Sequence, residues 1–74
     1  MRPSEALTKH RDEVLEIIGQ YPVRNPRVFG SVARGEDVEG SDLDILVDQK
    51  GTLTLIDLAR LEMQLESLLG VPVD

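Results

Sequence analysis

The sequence predicts a small α/β (α+β) domain with the element order α-β-β-α-β. Three observations predict it. Apolar residues recur at helical spacing in the first and last thirds of the chain. Two short β-prone runs lie between them. Glycines and a proline fall where each element has to stop.

The first helix is read from Leu7, Val14, Ile18 and Tyr21, which share one helical face, with Leu15 and Ile17 widening the stripe. Lys9, Arg11, Asp12, Glu13 and Glu16 suit a solvated face. Ser4 is the expected N-cap, and Glu5 suits the positive end of the helix. Gly19 and Pro22 end it, so the helix is expected over residues 4–20. Arg27-Val28-Phe29 then reads as a strand that runs into a turn at Gly30. Ser31 to Arg34 allows one helical turn before Gly35, and residues 36–41 form a loop. A second strand follows over 42–48, with Leu43, Ile45 and Val47 on one face and Asp42, Asp44, Leu46 and Asp48 on the other. Gln49-Lys50-Gly51 is a turn. Thr54 and Asp57 have capping-box spacing ahead of a helix over 54–68, whose face carries Leu58, Leu61, Leu65 and Leu68. Gly70 stops that helix, and Val71-Pro72-Val73-Asp74 reads as the start of a further strand.

Composition narrows the function classes. At 74 residues there is room for one domain, expected over 1–74, near the size where a core alone gives marginal stability. No cysteine is present and only one histidine, which excludes disulfides and thiolate or imidazole metal sites. Oxygen-ligand metal chemistry, a partner chain, or a domain continuing past residue 74 remain. The net charge of −6, with one Phe, one Tyr and no Trp, argues against direct nucleic-acid binding. It suits a carboxylate-rich metal site or a basic partner. No run is long enough for a membrane span and no signal peptide is evident, so a cytoplasmic location is expected.

The chemistry centres on Asp42 and Asp44. Residues i and i+2 of a strand share a face about 7 Å apart at Cα. Two carboxylates so placed repel, and they coexist when exposed, protonated or bridged by a cation. They can converge on divalent ions about 3.5–4 Å apart. Magnesium suits such oxygen ligands. The plain alternative is a solvated strand face. Gly30-Ser31, at a strand end that opens a helical turn, offers backbone N–H groups and a hydroxyl to a phosphate. Its plain alternative is an ordinary turn. Arg34 either adds charge to that phosphate site or is a surface arginine.

Gly30-Ser31, ten intervening residues, then Asp42-Leu43-Asp44 resembles the signature of the polymerase-beta-like nucleotidyltransferase superfamily. The fuller string, Gly30 to Gly35 and Ser41 to Val47, is similar to its minimal nucleotidyltransferase (MNT) branch. The resemblance implies a small polymerase-beta-like fold with a mixed sheet packed against helices. It implies transfer of a nucleoside monophosphate from a triphosphate, here ATP, to an acceptor hydroxyl. Gly30, Ser31 and Arg34 would bind the nucleotide, and Asp42 and Asp44 would bind two Mg²⁺. A third carboxylate on the next strand, which helps bind metal and takes the acceptor proton, matches Asp74. Relatives continue that strand where this sequence stops, so a domain truncated at its C-terminus is expected. A frayed terminal acid is the other reading of Asp74.

The resemblance also implies an antitoxin that adenylylates and neutralises a HEPN-type ribonuclease toxin. The acidic balance suits docking on a basic ribonuclease. The alternative is a non-catalytic module of the same fold that neutralises its partner by contact. A small-molecule nucleotidyltransferase of the antibiotic-modifying kind is weaker, because such enzymes carry an additional substrate domain. Elsewhere, His10 reads as a surface residue, Tyr21 as core and Lys50 as a turn lysine. Leu53, Ile56 and Met63 lie off the second helix's main stripe, to be covered by a missing segment or a partner. An oligomer would form through the motif strand or the second helix.

Overall fold

The apolar stripe of the first third folds as two helices rather than the one expected over 4–20. In the computed structural model, which describes residues 1–74, α1 spans Pro3–Lys9 and α2 spans Arg11–Ile18. His10 separates them with φ −116° and ψ 23°. In one unbroken helix at about 100° per residue, Ala6 would sit about 80° around the axis from Val14. The break lets both segments face the core, where Ala6, Val14 and Ile18 are buried. The start also differs from the expected Ser4 cap. Arg2 takes the N-cap position and Pro3 opens the helix, where its missing N–H costs nothing. Leu15, expected to widen the buried stripe, is 47% exposed.

Tyr21 lies in the bend after α2 and not on the helix. It packs against the core as expected, and its hydroxyl donates to Oε1 of Gln64 at 2.6 Å. The strand β1 is longer than the sequence suggests, Val23–Phe29. Its ladder with the next strand skips between Arg24 and Arg27, and Asn25 has φ 53°. Pro26 cannot donate to a ladder, so a bulge on an edge strand is where it fits. The helical turn α3 spans Ser31–Arg34 and closes on Gly35 in the left-handed region, as the glycine position predicts.

The strand β2 spans Asp44–Gln49 rather than the expected 42–48, because its partner β1 ends at Phe29, opposite Asp44. The two strands pair antiparallel, with Arg27 opposite Leu46. Leu43, just before it, bridges Val73 in parallel. The Leu43 N–H donates to the Pro72 carbonyl at 2.8 Å, and the Asp74 N–H donates to the Leu43 carbonyl at 2.9 Å. The sheet is therefore mixed, with β2 central where the chain's last residues join it. The expected alternation holds: Leu43 is fully buried, Ile45 and Val47 pack against the core, and Leu46 faces outward.

The helix α4 spans Leu55–Leu69, shifted one residue toward the C-terminus from the expected 54–68 because Thr54 serves as its N-cap. The expected capping box forms: the Asp57 N–H donates to Oγ1 of Thr54 at 3.1 Å, and the Thr54 N–H donates to Oδ2 of Asp57 at 3.2 Å. Leu61, Leu65 and Leu69 are buried, while Leu58 and Leu68 are half-buried. Leu53 packs against the core, whereas Ile56 and Met63 stay exposed on α4. The helices cover one face of the sheet and leave Arg27, Phe29 and Leu46 on the other, exposed face. No helix is long and apolar enough to cross a membrane.

Candidate active site

Gly30 ends β1 with φ 75° and ψ −147°, a conformation that suits a residue without a Cβ. A Cβ there would meet Oδ2 of Asp44, so any side chain at this position would displace that carboxylate. The Asp44 carboxylate thus lies against the glycine that opens α3. Ser31 is the first residue of α3, and its carbonyl accepts from the Glu36 N–H at 2.8 Å, which folds the following loop back onto the turn. The free N–H groups of a helical first turn are the donors a phosphate would use.

Sheet register brings the acids together. Asp44, the first residue of β2, projects to the face opposite the buried Leu43, and Asp42 lies just ahead of the strand on the other side of Leu43 in the chain. The parallel bridge of Leu43 to Val73 carries Asp74 alongside Asp44, side chains on one face. Asp74 is no frayed end: its N–H pairs with Leu43 and its carbonyl accepts from the Ile45 N–H at 3.2 Å. None of the three carboxylates has a cationic side chain in salt-bridge reach. No three Asp, Glu, His or Cys side chains are drawn together tightly enough to hold a metal ion unaided. The donor set still fits magnesium, which is ordinarily held by one or two carboxylates together with waters and phosphate oxygens.

Arg34 is not gathered with the acids; its Nε pairs with Glu36 at 3.5 Å on the surface. Lys50 lies at the far end of β2, with its N–H donating to the Pro22 carbonyl at 2.9 Å. His10 lies at the start of α2 and pairs with Glu13 at 3.0 Å. Two features escaped the sequence reading. Phe29, opposite Asp44, is 47% exposed beside the carboxylates, and only the ladder register reveals that face. Asp37 is buried in the loop before Asp42, accepting from the Ser4 N–H at 2.9 Å. That bond spans 33 residues and leaves no local pattern. It also holds the Asp37 carboxyl below the ordinary aspartate range.

The sequence profile of the nucleotidyltransferase domain family matches residues 7–74. The protein adenylyltransferase MntA of Thermococcus cleftensis is 48% identical over 68 residues, 92% of this chain and 66% of that protein. One of several Methanocaldococcus jannaschii proteins assigned as protein adenylyltransferases is 43% identical over 70 residues, 95% of this chain and 68% of the relative. A solved structure assigned as a minimal nucleotidyltransferase superposes with a TM-score of 0.83 and 51% identity, over 96% of this chain and 72% of that one. The chain therefore belongs to the nucleotidyltransferase domain family, in its minimal nucleotidyltransferase group, and its fold is that of an enzyme of this type.

Proposed function

We propose that this chain transfers AMP from ATP to a hydroxyl of a protein, and that the acceptor is a HEPN-type ribonuclease toxin neutralised by the modification. The observation that carries the reading is the sheet register, which sets Asp44 and Asp74 on one face beside the Gly30-Ser31 turn, with Asp42 two residues ahead of Asp44. The names of the relatives support AMP and a protein acceptor.

In this reading the α3 turn receives the triphosphate, with the Ser31 hydroxyl as an added donor and Arg34 near enough in sequence to leave Glu36 for a phosphate. Asp42, Asp44 and Asp74 would hold Mg²⁺, which when bound supplies positive charge to the phosphate oxygens and the leaving group. The acceptor oxygen forms a bond to the α-phosphorus, the α–β phosphoanhydride bond breaks, and pyrophosphate leaves. Asp74, at the outer side of Asp44, takes the acceptor proton. Little covalent work falls to the protein, so its contribution is placement and charge.

A second reading is a module of the same fold that neutralises by contact, favoured by the lack of a preassembled three-acid cluster. One experiment separates them. Wild-type chain and the Asp42→Asn/Asp44→Asn double variant are incubated with Mg²⁺ and ATP labelled at the α-phosphate, against purified HEPN-type toxin. Label on the toxin with wild type only supports transfer. Neutralisation that survives in the variant without label supports the contact module.

A further inference from the structure

Asp37 is the only charged residue buried in the chain, at 4% exposure. Burying a carboxylate is costly unless it is hydrogen-bonded, so its position calls for a reason. Part of the reason is local to α1. The N-cap residue Arg2 has only donors on its side chain, so it cannot cap the first free N–H of that helix. Oδ2 of Asp37 accepts that N–H, from Ser4, at 2.9 Å. Pro3, next to Ser4, is almost wholly covered.

The rest of the reason lies in the loop. Residues 36–41 join the α3 turn to Asp42, and every part of that path is tied. The Glu36 N–H holds the Ser31 carbonyl at 2.8 Å. The Val38 N–H donates to Oγ of Ser41 at 3.0 Å, and the Ser41 N–H returns to the Val38 carbonyl at 3.0 Å. Gly40, at φ 89°, allows that tight turn. Leu43, on the far side of Asp42, is buried and paired with Pro72. The loop has two ties to the start of the chain: Oδ2 of Asp37 accepts from the Ser4 N–H of α1, and Oε1 of Glu39 accepts from the amino group of Met1 at 2.7 Å. Only the Asp37 tie is buried and reaches a helix, because Met1 and Glu39 are exposed.

We propose that Asp37 is a positioning residue for Asp42: by clamping the loop to α1 it sets where the first carboxylate of the pair meets a divalent cation. This rests on the reading of Asp42 and Asp44 as cation-binding acids. The clamp acts through the shape of the acceptor and not through its charge, since the carboxylate is aimed away into α1.

The test uses Mn²⁺ as the probe, with loss of the Asp42 and Asp44 amide NMR signals by paramagnetic broadening as the readout. Wild type, Asp37→Ala, Asp37→Asn and a core variant of lowered thermal stability, Leu69→Ala, are titrated well below their melting points. Asp37→Ala is expected to bind Mn²⁺ about 10-fold more weakly, as for loss of other groups that orient metal ligands. Asp37→Asn, whose amide oxygen still accepts from Ser4, is expected to stay close to wild type, as is Leu69→Ala. Wild-type affinity in Asp37→Ala, with only its melting point lowered, would make Asp37 a helix cap alone and overturn the proposal. Equal weakening in Ala and Asn would assign the effect to charge and overturn it too. No Mn²⁺ broadening in wild type would overturn it together with the functional reading, an outcome separate from the other two.

Discussion

At the scale of single residues, Gly30 is constrained by its contact with the Asp44 carboxylate. Two independent demands fall on one glycine: a positive φ of 75°, and a Cβ position that the Asp44 carboxylate occupies. Gly30→Ala is therefore expected to lose about 1–3 kcal/mol of stability from the backbone alone. The added methyl would also push the Asp44 carboxylate out of register with Asp74. A displacement of about 1 Å at a reacting centre can cost about 100-fold in rate, so transfer should fall by that order while the variant still folds. Thermal melting and the label-transfer assay, run side by side, check the two parts separately. The glycine was legible in the sequence as a phosphate-turn residue. Its collision with Asp44 was not, because that contact arises from strand pairing across fourteen residues of chain.

At the scale of elements, local signals were the ones the sequence carried well. The Thr54–Asp57 box, the Gly70 stop and the alternation from Leu43 to Val47 all appear in the fold where spacing put them. Thr54→Ala is expected to cost about 1 kcal/mol. For a chain of this size that lowers the melting temperature by about 4–8 °C. The substitution lies at the start of α4, away from the acids, so Mn²⁺ binding should not change. Circular dichroism melting with a parallel Mn²⁺ titration is the check. The N-terminal helix misled the reading for a physical reason. A periodic apolar stripe is continuous in sequence whether or not the helix is, and nothing about His10 marks a break. Likewise the sequence predicts only three residues of β1, because Pro26 cannot extend a regular ladder, whereas the fold carries it in a bulge.

At the scale of the whole molecule, several carboxylates far apart in sequence make stability depend on acid in one direction. Asp37 is held below its ordinary range by the Ser4 N–H, and Asp48 by hydrogen bonds from Asn25 and Arg27. Glu5 is lowered by the Arg2 N–H, and Glu39 by its bond to the amino group of Met1. A lowered folded value means that the unfolded chain binds more protons as pH drops. Each contribution is therefore complete above the ordinary carboxylate range and is lost as pH falls through the lower folded value. The melting temperature should be nearly flat from neutral pH to about pH 5 and fall below about pH 4. In Asp48→Asn the fall should be shallower, since one of the linked groups no longer titrates. Thermal melts across that range decide it.

The bulge in β1 has a consequence for how the chain behaves in crowded solution. β1 is an edge strand, and an unpaired edge is a template for aggregation. Here the edge is interrupted by Pro26 and a left-handed Asn25, and it is flanked by Arg24 and Arg27. An incoming strand finds a broken row of donors and two like charges. Sticky growth of the sheet is thereby discouraged on the β1 side, which leaves the side bearing Val73 and Asp74 as the one where another strand could add in order. Whatever strand does so will border the third acid.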